Sequence, residues 1–330
     1  MLTLAQFGAG RIGQIHARNV AQNGRCRLKA IVDVNADAAS ALAGETGAQV
    51  MAADQVFADP DIGAVVVASA THTHAVLIEQ AAKAGKAIFC EKPIDLDSDR
   101  VAACLAVVAE AGVPLFVAFN RRFDPNFRVL HQRLGDGIIG DLEAVLITSV
   151  DPAPPPIDYI KTSGGLFRDM MIHDFDMAVW LLGERPVEVF AAGSCNVDPA
   201  IEEAGDIDTA TVTLRTGSGR LAQIFNSRRS GYGYDQRIEL HGSAGMLQAS
   251  NWLEHSVTVA TDQGVTGAKP MHFFLERYAL AYKAELDTFI DAVADGTEPS
   301  PSGEDGKVAL LLADAAAESL NANRPVNPGF

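Results

Sequence analysis

Leu2-Thr3-Leu4-Ala5-Gln6-Phe7-Gly8-Ala9-Gly10-Arg11-Ile12-Gly13 opens the chain with a short apolar run, a GxGxxG pattern and, from Gln14 to Gln22, an alanine-rich helical run. Three spaced glycines alone occur by chance. Standing between a strand and a helix, they occupy the place of a dinucleotide-binding turn. Glycine permits the tight turn and lets the backbone approach a pyrophosphate, which the helix N-terminus stabilises. Gly8, Gly10, Arg11, Ile12 and Gly13 are therefore the first expected cofactor contacts. The second strand, Leu28 to Val32, ends in Asp33, about 20 residues after the last glycine, where this fold sets a carboxylate on the adenosine ribose. Asp33 alone could be a surface acid; with the glycines in register the ribose role is preferred. Its charge would repel a 2′-phosphate and no arginine follows it, so NAD is favoured over NADP.

The following segments repeat the alternation of strand and helix. Ala64 to Ala68 is wholly apolar, as parallel strands covered on both faces are. Ser69, Thr71, His72 and His74 follow at its C-terminal end, where open α/β sheets bind ligands. Two histidines at alternate loop positions lack the further ligands of a zinc site, so no metal is expected; capping and cofactor contacts suit Ser69, Thr71 and His74 better. After a helix from Val76 to Ala84, the strand Ala87 to Cys90 delivers Glu91-Lys92-Pro93 to the same edge. A strand-end lysine is most often a surface charge. On the cofactor edge it can bind a hydroxyl and help shuttle its proton. Glu91 joins the expected cofactor contacts. A helix from Arg100 to Ala111 and a strand from Leu115 to Ala118 complete this part.

Beyond Arg121 the texture changes. A helix from Pro125 to Leu134 precedes alternating or β-branched runs at Leu142–Val150, Val187–Gly193, Thr209–Arg215, Leu221–Ser227, Arg237–His241 and Ser256–Ala260. They suggest one large, mostly antiparallel sheet. The expected fold class is thus α/β, with an N-terminal parallel-sheet domain over residues 1–121 and a C-terminal α/β domain over 122–330 for substrate binding and oligomerisation. The tail returns to helix at Glu276–Ala294 and Gly306–Leu320, which could pack back on the first domain. The segment Asp151 to Pro156 can be neither regular helix nor sheet, and reads either as a stiff loop over a site or as a plain surface connection. Ser230 to Asp235 is a glycine-flexed tyrosine turn, suited to lining a sugar site or to forming an edge turn with half-buried rings.

One helical stretch, Gly164 to Leu182, carries the second half's chemistry. At about 100° per residue Asp169, His173 and Asp176 share one face, opposite Met171, Phe175, Ala178 and Leu182. The polar front lacks the lysines and glutamates of a solvated face and continues into Trp180, which suits the wall of a cleft. His173 lies one turn beyond Asp169, where a carboxylate can orient the imidazole and raise its basicity.

With 42 acidic and 26 basic side chains the formal charge is −16, which argues against nucleic acid or an anionic membrane as partner and is compatible with a neutral small molecule. Four cysteines without paired spacing read as buried thiols in a reducing compartment. The first apolar run is too short for a secretory signal, and cytoplasm is the expected location.

Glu91-Lys92-Pro93 taken with Asp169-x-x-x-His173 resembles the glucose-fructose oxidoreductase, inositol dehydrogenase and rhizopine-catabolism family nearly end to end. The blocks GAGRIGQIHARN, SGGLFRDMMIHDFDMAVWLLGE and NSRRSGYGYDQRIELHGSAGML are similar to its bacterial inositol 2-dehydrogenase branch. The resemblance implies a Rossmann domain followed by an α/β domain with a large open sheet, often built into a homotetramer. It implies that Lys92, Asp169 and His173 are catalytic and that NAD is the cofactor. Arg121, Asp176, Tyr234 and Tyr282 would join those three in binding a cyclic polyol, with Asp176 as a substrate or structural acid and Arg121 also near the cofactor. Ala70 stands where many members have proline. The expected reaction is oxidation of myo-inositol to 2-keto-myo-inositol (scyllo-inosose). Alternatives are scyllo- or chiro-inositol, a pyranose such as glucose or levoglucosan, or a non-catalytic NAD-binding sensor.

Overall fold

Strand β1 (Leu2–Phe7) lies at the centre of a six-stranded parallel sheet with β2 (Cys26–Val32), β3 (Gln49–Val50), β4 (Ala64–Val67), β5 (Ala87–Cys90) and β6 (Leu115–Val117). The order β3-β2-β1-β4-β5-β6 reverses between β1 and β4, the switch point at which such sheets bind ligands. Burial explains the apolar run in β4: all four of its residues are inside. The computed structural model describes all 330 residues and divides into two compact units. The first comprises Met1–Asn120 with Ala281–Leu310, and the second Arg121–Leu280 with Leu311–Phe330. Residues from the helix Ala279–Asp295 thus complete the first unit's core, where Phe289 meets Phe89 edge-on at 5.6 Å.

The helix Ala36–Thr46, the two residues of β3 and the helix Ala53–Ala58 have no counterpart among the elements expected from the sequence. Small residues dominate ADAASALAGET, so no stripe of large apolar side chains announces that helix. Its ends do carry signals: Asn35 caps it through the Ala38 N–H, and Gly47 closes it at φ 74°.

The second unit contains a sheet of β7 (Leu142–Val150), β8 (Pro186–Ser194), β9 (Thr209–Thr216), β10 (Leu221–Ser227), β11 (Asp235–Gly242) and β12 (Gly245–Ala249), in the order β12-β11-β7-β10-β9-β8. Every pairing is antiparallel except β7 with β10. Val145, Ile147, Val212, Leu214, Ala222, Ile224, Ile238 and Leu240 form the buried side. The helix Ile172–Leu182 packs on it with Ile172, Phe175, Ala178 and Leu182 inward. Each such Ile, Leu or Phe contributes about 1.5–3 kcal/mol of burial energy.

Three expectations are corrected here. Ser256–Ala260 is not part of this sheet: Val259–Thr261 (β13) and Gly264–Thr266 (β14) form a separate exposed hairpin, with no core for its valines to face. The sixth strand is β12, joined to β11 through the turn around Ser243 and Ala244, whose N–H groups bond Asp141 and Ile139 carbonyls. Second, Gly165–Asp169 and Ile172–Leu182 are two helices, not one. The Leu166 carbonyl accepts both the Met170 and Met171 N–H groups, at 3.1 and 2.9 Å, so the turn widens by a residue and buries both methionines. Third, Asp176 does not share an open front with Asp169 and His173. It is 2% exposed and accepts two hydrogen bonds from Arg122, at 2.9 and 2.6 Å.

Candidate active site

In the first unit, the glycine turn is fixed by close packing on one side and is open on the other. Gly8 has φ 104°, and a Cβ on it would lie 2.2 Å from the Ala68 carbonyl oxygen. At Gly13 a Cβ would meet the Gly8 carbonyl oxygen at 2.3 Å, whereas at Gly10 it would meet nothing within 4 Å. Gln6 braces the turn by donating to the carbonyls of Gly8 (2.8 Å) and Gly13 (2.6 Å). The helix Arg11–Gln22 begins here with no side-chain cap and no acid in its first turn. Its free N–H groups and positive end therefore face the open side of the turn, an arrangement that fits a pyrophosphate. Arg11 and Ile12 lie on this first turn. Asp33 reaches the same place, accepting the Ala9 N–H at 2.6 Å and the Asn35 N–H at 2.8 Å.

The loops after β4 and β5 are tied together by His74. Its buried ring has Nδ1 2.8 Å from the Pro93 carbonyl and Nε2 3.0 Å from that of Ser69, so both nitrogens are engaged with backbone. Burial lowers its pKa against the two carbonyls, which raise it; a neutral ring donates to only one of them. Ser69 shares a 2.6 Å hydrogen bond with Thr73, and Thr71 begins the short turn between them. At the end of β5, Glu91 Oε1 lies 2.7 Å from His16 Nε2, and Oε2 accepts the Lys92 backbone N–H at 3.3 Å. Lys92, next in sequence, is partly exposed. Tyr282 also belongs to this unit and stands edge-on to His16, with ring centroids 5.8 Å apart.

The second unit gathers charge around Asp169. The Tyr159 hydroxyl donates to it at 2.8 Å, so the chain that follows the proline segment reaches this carboxylate. Arg228, 1% exposed, lies 3.5 Å from Asp169 and 3.5 Å from Asp206. Asp206 in turn receives the Leu166 N–H at 2.9 Å, which fixes the start of the Asp169 helix. His173 is partly exposed on the first turn of the next helix. Asp151 lies within the fields of Arg228, Arg121, Asp169 and Asp174. Burial pushes its carboxyl up to about 6 against the two arginines, with both aspartates assisting.

Beneath this group Asp174 is fully buried and fully engaged. It accepts from Arg121, from Ser149 at 2.5 Å and from Asn226 at 2.9 Å. Arg121 is 4% exposed and also donates to Ser149 at 2.9 Å, so one of its terminal nitrogens is committed to this network. Burial opposes its charge, and Asp174 together with Tyr278, Tyr234 and Asp151 outweighs that effect and raises its pKa. Tyr234 is buried edge-on against Tyr278 with centroids 6.0 Å apart, and Tyr232, half exposed, donates to Asp235 at 2.5 Å.

The sequence reading did not single out Asp151, Asp174, Arg228 or His16 as chemical groups. Asp174 was recoverable: on a 100° count it falls on the stripe of Met171, Phe175 and Ala178, and a carboxylate on a buried stripe requires a partner. Arg228 gives no such signal, because its acids come from distant parts of the chain.

A parallel sheet with a glycine turn at its switch point and a carboxylate at the end of its second strand defines a dinucleotide-binding α/β protein. The chain belongs to the GFO/IDH/MocA oxidoreductase family. Residues 2–119 match its oxidoreductase model with an NAD-binding Rossmann fold, and residues 127–248 match the GFO/IDH/MocA C-terminal domain. The chain is 53% identical to the inositol 2-dehydrogenase of Rhizobium meliloti strain 1021 over 97% of each sequence. Among solved structures, it is similar to a myo-inositol dehydrogenase from Corynebacterium glutamicum, with a TM-score of 0.95 at 46% identity over 99% of this chain and 98% of that one. The scyllo-inositol dehydrogenase of Lactobacillus casei, solved with NAD(H) and scyllo-inositol, matches with a TM-score of 0.92 at 30% identity, all of both chains being covered.

Proposed function

We propose that the chain is an NAD-dependent dehydrogenase that oxidises one secondary hydroxyl of a cyclic polyol, with myo-inositol converted to 2-keto-myo-inositol. The observation that carries this reading is the 53% identity, over 97% of both chains, to an inositol 2-dehydrogenase. Residues 1–121 supply the NAD-binding domain, and 122–330 the domain for substrate binding and assembly, apart from the stretch that returns to the first unit.

NAD, when bound, supplies the hydride acceptor. His173 takes the proton of the reacting hydroxyl, and Asp169, held by Tyr159 and Arg228, orients the imidazole and favours its protonated form. Lys92 donates a hydrogen bond to the same oxygen and stabilises the negative charge that develops on it. The other polyol contacts are assigned to Tyr234 and Tyr282. For Arg121 and Asp176, both buried in ion pairs, the role is to hold the wall of the site.

Purified protein with NAD and myo-inositol should form NADH, and failure to do so overturns the reading. Lys92→Ala should lower turnover by at least about a hundredfold while NAD affinity changes little, since proton management of this kind is worth about 10²–10⁴ in rate. An unchanged rate removes Lys92 from the mechanism. A second reading keeps the chemistry and changes the ring: the Lactobacillus casei relative was solved with scyllo-inositol. Side-by-side NADH assays on myo- and scyllo-inositol separate the two.

The solvent side of the second sheet supports a homo-oligomer, with a tetramer as the expected form. Its register places Leu146, Phe190, Leu221, Phe225 and Met246 on that one face, each at least 37% exposed. The cytoplasm is the proposed location. Cys26, Cys90, Cys104 and Cys195 are all free thiols, and no helix is long and apolar enough to cross a membrane.

A further inference from the structure

In the first unit, the residues before and after Lys92 are each held by a buried imidazole. On one side Glu91 Oε1 lies 2.7 Å from His16 Nε2; on the other the Pro93 carbonyl oxygen lies 2.8 Å from His74 Nδ1. Both rings are 2% exposed. The two holds start from different places. His74 begins the helix that follows β4 and reaches only backbone, whereas His16 stands about one turn beyond Gly13 on the helix Arg11–Gln22 and reaches a side chain.

The contact with Glu91 fixes the role of the His16 ring. An ionised carboxylate only accepts, so Nε2 carries the hydrogen, in the neutral Nε2–H tautomer and in the imidazolium alike. Phe89 and Tyr282 meet the ring edge-on, at 5.0 and 5.8 Å, and so set the direction in which Nε2 points. Glu91 is anchored at its backbone, where its N–H donates to the Val67 carbonyl at 2.8 Å. Its other oxygen, Oε2, accepts the Lys92 N–H at 3.3 Å. The helix of the glycine turn is thereby joined to the Lys92 peptide through one side chain and two hydrogen bonds.

Resting on the assignment of Lys92 to the chemistry, we propose that His16 is a positioning residue for Lys92. Through the Glu91 carboxylate it fixes the Lys92 peptide relative to the helix whose N-terminus fits the pyrophosphate, so that lysine and cofactor are placed from one rigid element. Packing alone would be served by an apolar side chain against Phe89 and Tyr282. The polar ring matters because a part-buried carboxylate that loses its donor must turn away to find another. The Lys92 N–H would then lose its acceptor. His16 acts in this way on turnover rather than on cofactor binding, and no covalent step is involved.

The test compares His16→Met with His16→Gln in the full chain. Both lose the ring contacts, and only glutamine keeps an N–H for Glu91. His16→Met should lower turnover of myo-inositol at saturating NAD by about tenfold, since misplacing a catalytic group by about 1 Å can cost about a hundredfold. NAD affinity should stay within about threefold of the parent, and His16→Gln should keep turnover within about threefold. Equal turnover in the two variants overturns the proposal, as does a loss confined to NAD affinity. In a Lys92→Ala background His16→Met should cost less than about twofold, because a residue that acts through Lys92 has nothing left to place; a further tenfold loss there overturns the proposal. Glu91→Ala cuts the same link from the other end and should reproduce the His16→Met loss, so full turnover in Glu91→Ala overturns it too, even where His16→Met does not fold. Independently, amide hydrogen exchange at Lys92, read by mass spectrometry, should be at least about fivefold faster in His16→Met than in His16→Gln, and equal rates overturn the proposal. If Lys92→Ala leaves the rate unchanged, or the parent binds NAD and oxidises no polyol, the functional reading fails, while amide exchange still decides whether His16 seats the Lys92 peptide.

Discussion

Asp151 and Asp174 show how one residue type is put to opposite uses in the second unit. Asp174 is a closed account of charge: Arg121, Ser149 and Asn226 satisfy it, and its own burial is complete. Removing it leaves the Arg121 guanidinium buried without its counter-charge. Asp174→Ala should therefore cost about 3–5 kcal/mol, read as a lower denaturant midpoint with an unchanged slope. Asp151 is the reverse, a carboxyl raised from 3.8 to about 6. Because its folded value lies above its unfolded one, the folded chain binds more protons between those two values, and this group makes stability fall as pH rises through that window. Asp151→Asn should abolish that part of the slope in thermal unfolding and leave stability below the window unchanged. The activity profile should also show an apparent group near 6 in the parent that moves in the variant. Two superimposable profiles would exclude Asp151 from the charge balance around Asp169.

At the scale of elements, the glycine turn and the interrupted helix carry the local geometry. Gly8→Ala would set a methyl group 2.2 Å from the Ala68 carbonyl while demanding a φ of 104° from an alanine. The strand end or the loop after β4 must then move. The expected outcome is loss of measurable NAD affinity by calorimetry, with far-ultraviolet circular dichroism retained; an affinity within twofold of the parent would mean that the loop yields more cheaply than about 1–3 kcal/mol. The turn was legible in the sequence because glycine has few other reasons to recur at that spacing between a strand and a helix. The β-sheets were legible because their apolar runs and alternation are local patterns. Two features escaped for physical reasons. The break between Asp169 and His173 comes from a single carbonyl accepting two N–H groups, which no side-chain periodicity encodes. Likewise β12 is short and mostly exposed, so it has little alternation to display. The pairing of Asp176 with Arg122 and of Asp169 with Arg228 depends on contacts between segments far apart in sequence, and only folding brings them together.

For the whole molecule, the second face of the six-stranded sheet is the surface that assembly would use. One side of the β12-β11-β7-β10-β9-β8 sheet is covered by the helix Ile172–Leu182, which accounts for the inward-facing valines, leucines and isoleucines. The other side mixes Thr211, Thr213, Gln223 and the Arg215–Glu188 pair with Leu146, Phe190, Leu221, Phe225 and Met246. Such a mixture is more apolar than an ordinary solvated face and more polar than a sealed core, which is the composition the proposed homo-oligomer would need of its contact surface. A symmetric homo-oligomer buries the same patch on both partners, so one unfavourable charge enters the contact twice. Phe225→Asp, near the middle of the sheet on β10, should therefore shift the mass in solution from oligomer toward single chain by light scattering. NAD affinity per chain should be preserved, because the glycine turn and Asp33 belong to the other unit. An unchanged mass for Phe225→Asp together with Leu146→Lys would mean that the chains assemble through a different surface or not at all, and the exposed phenylalanines and leucines of this face would then require another partner.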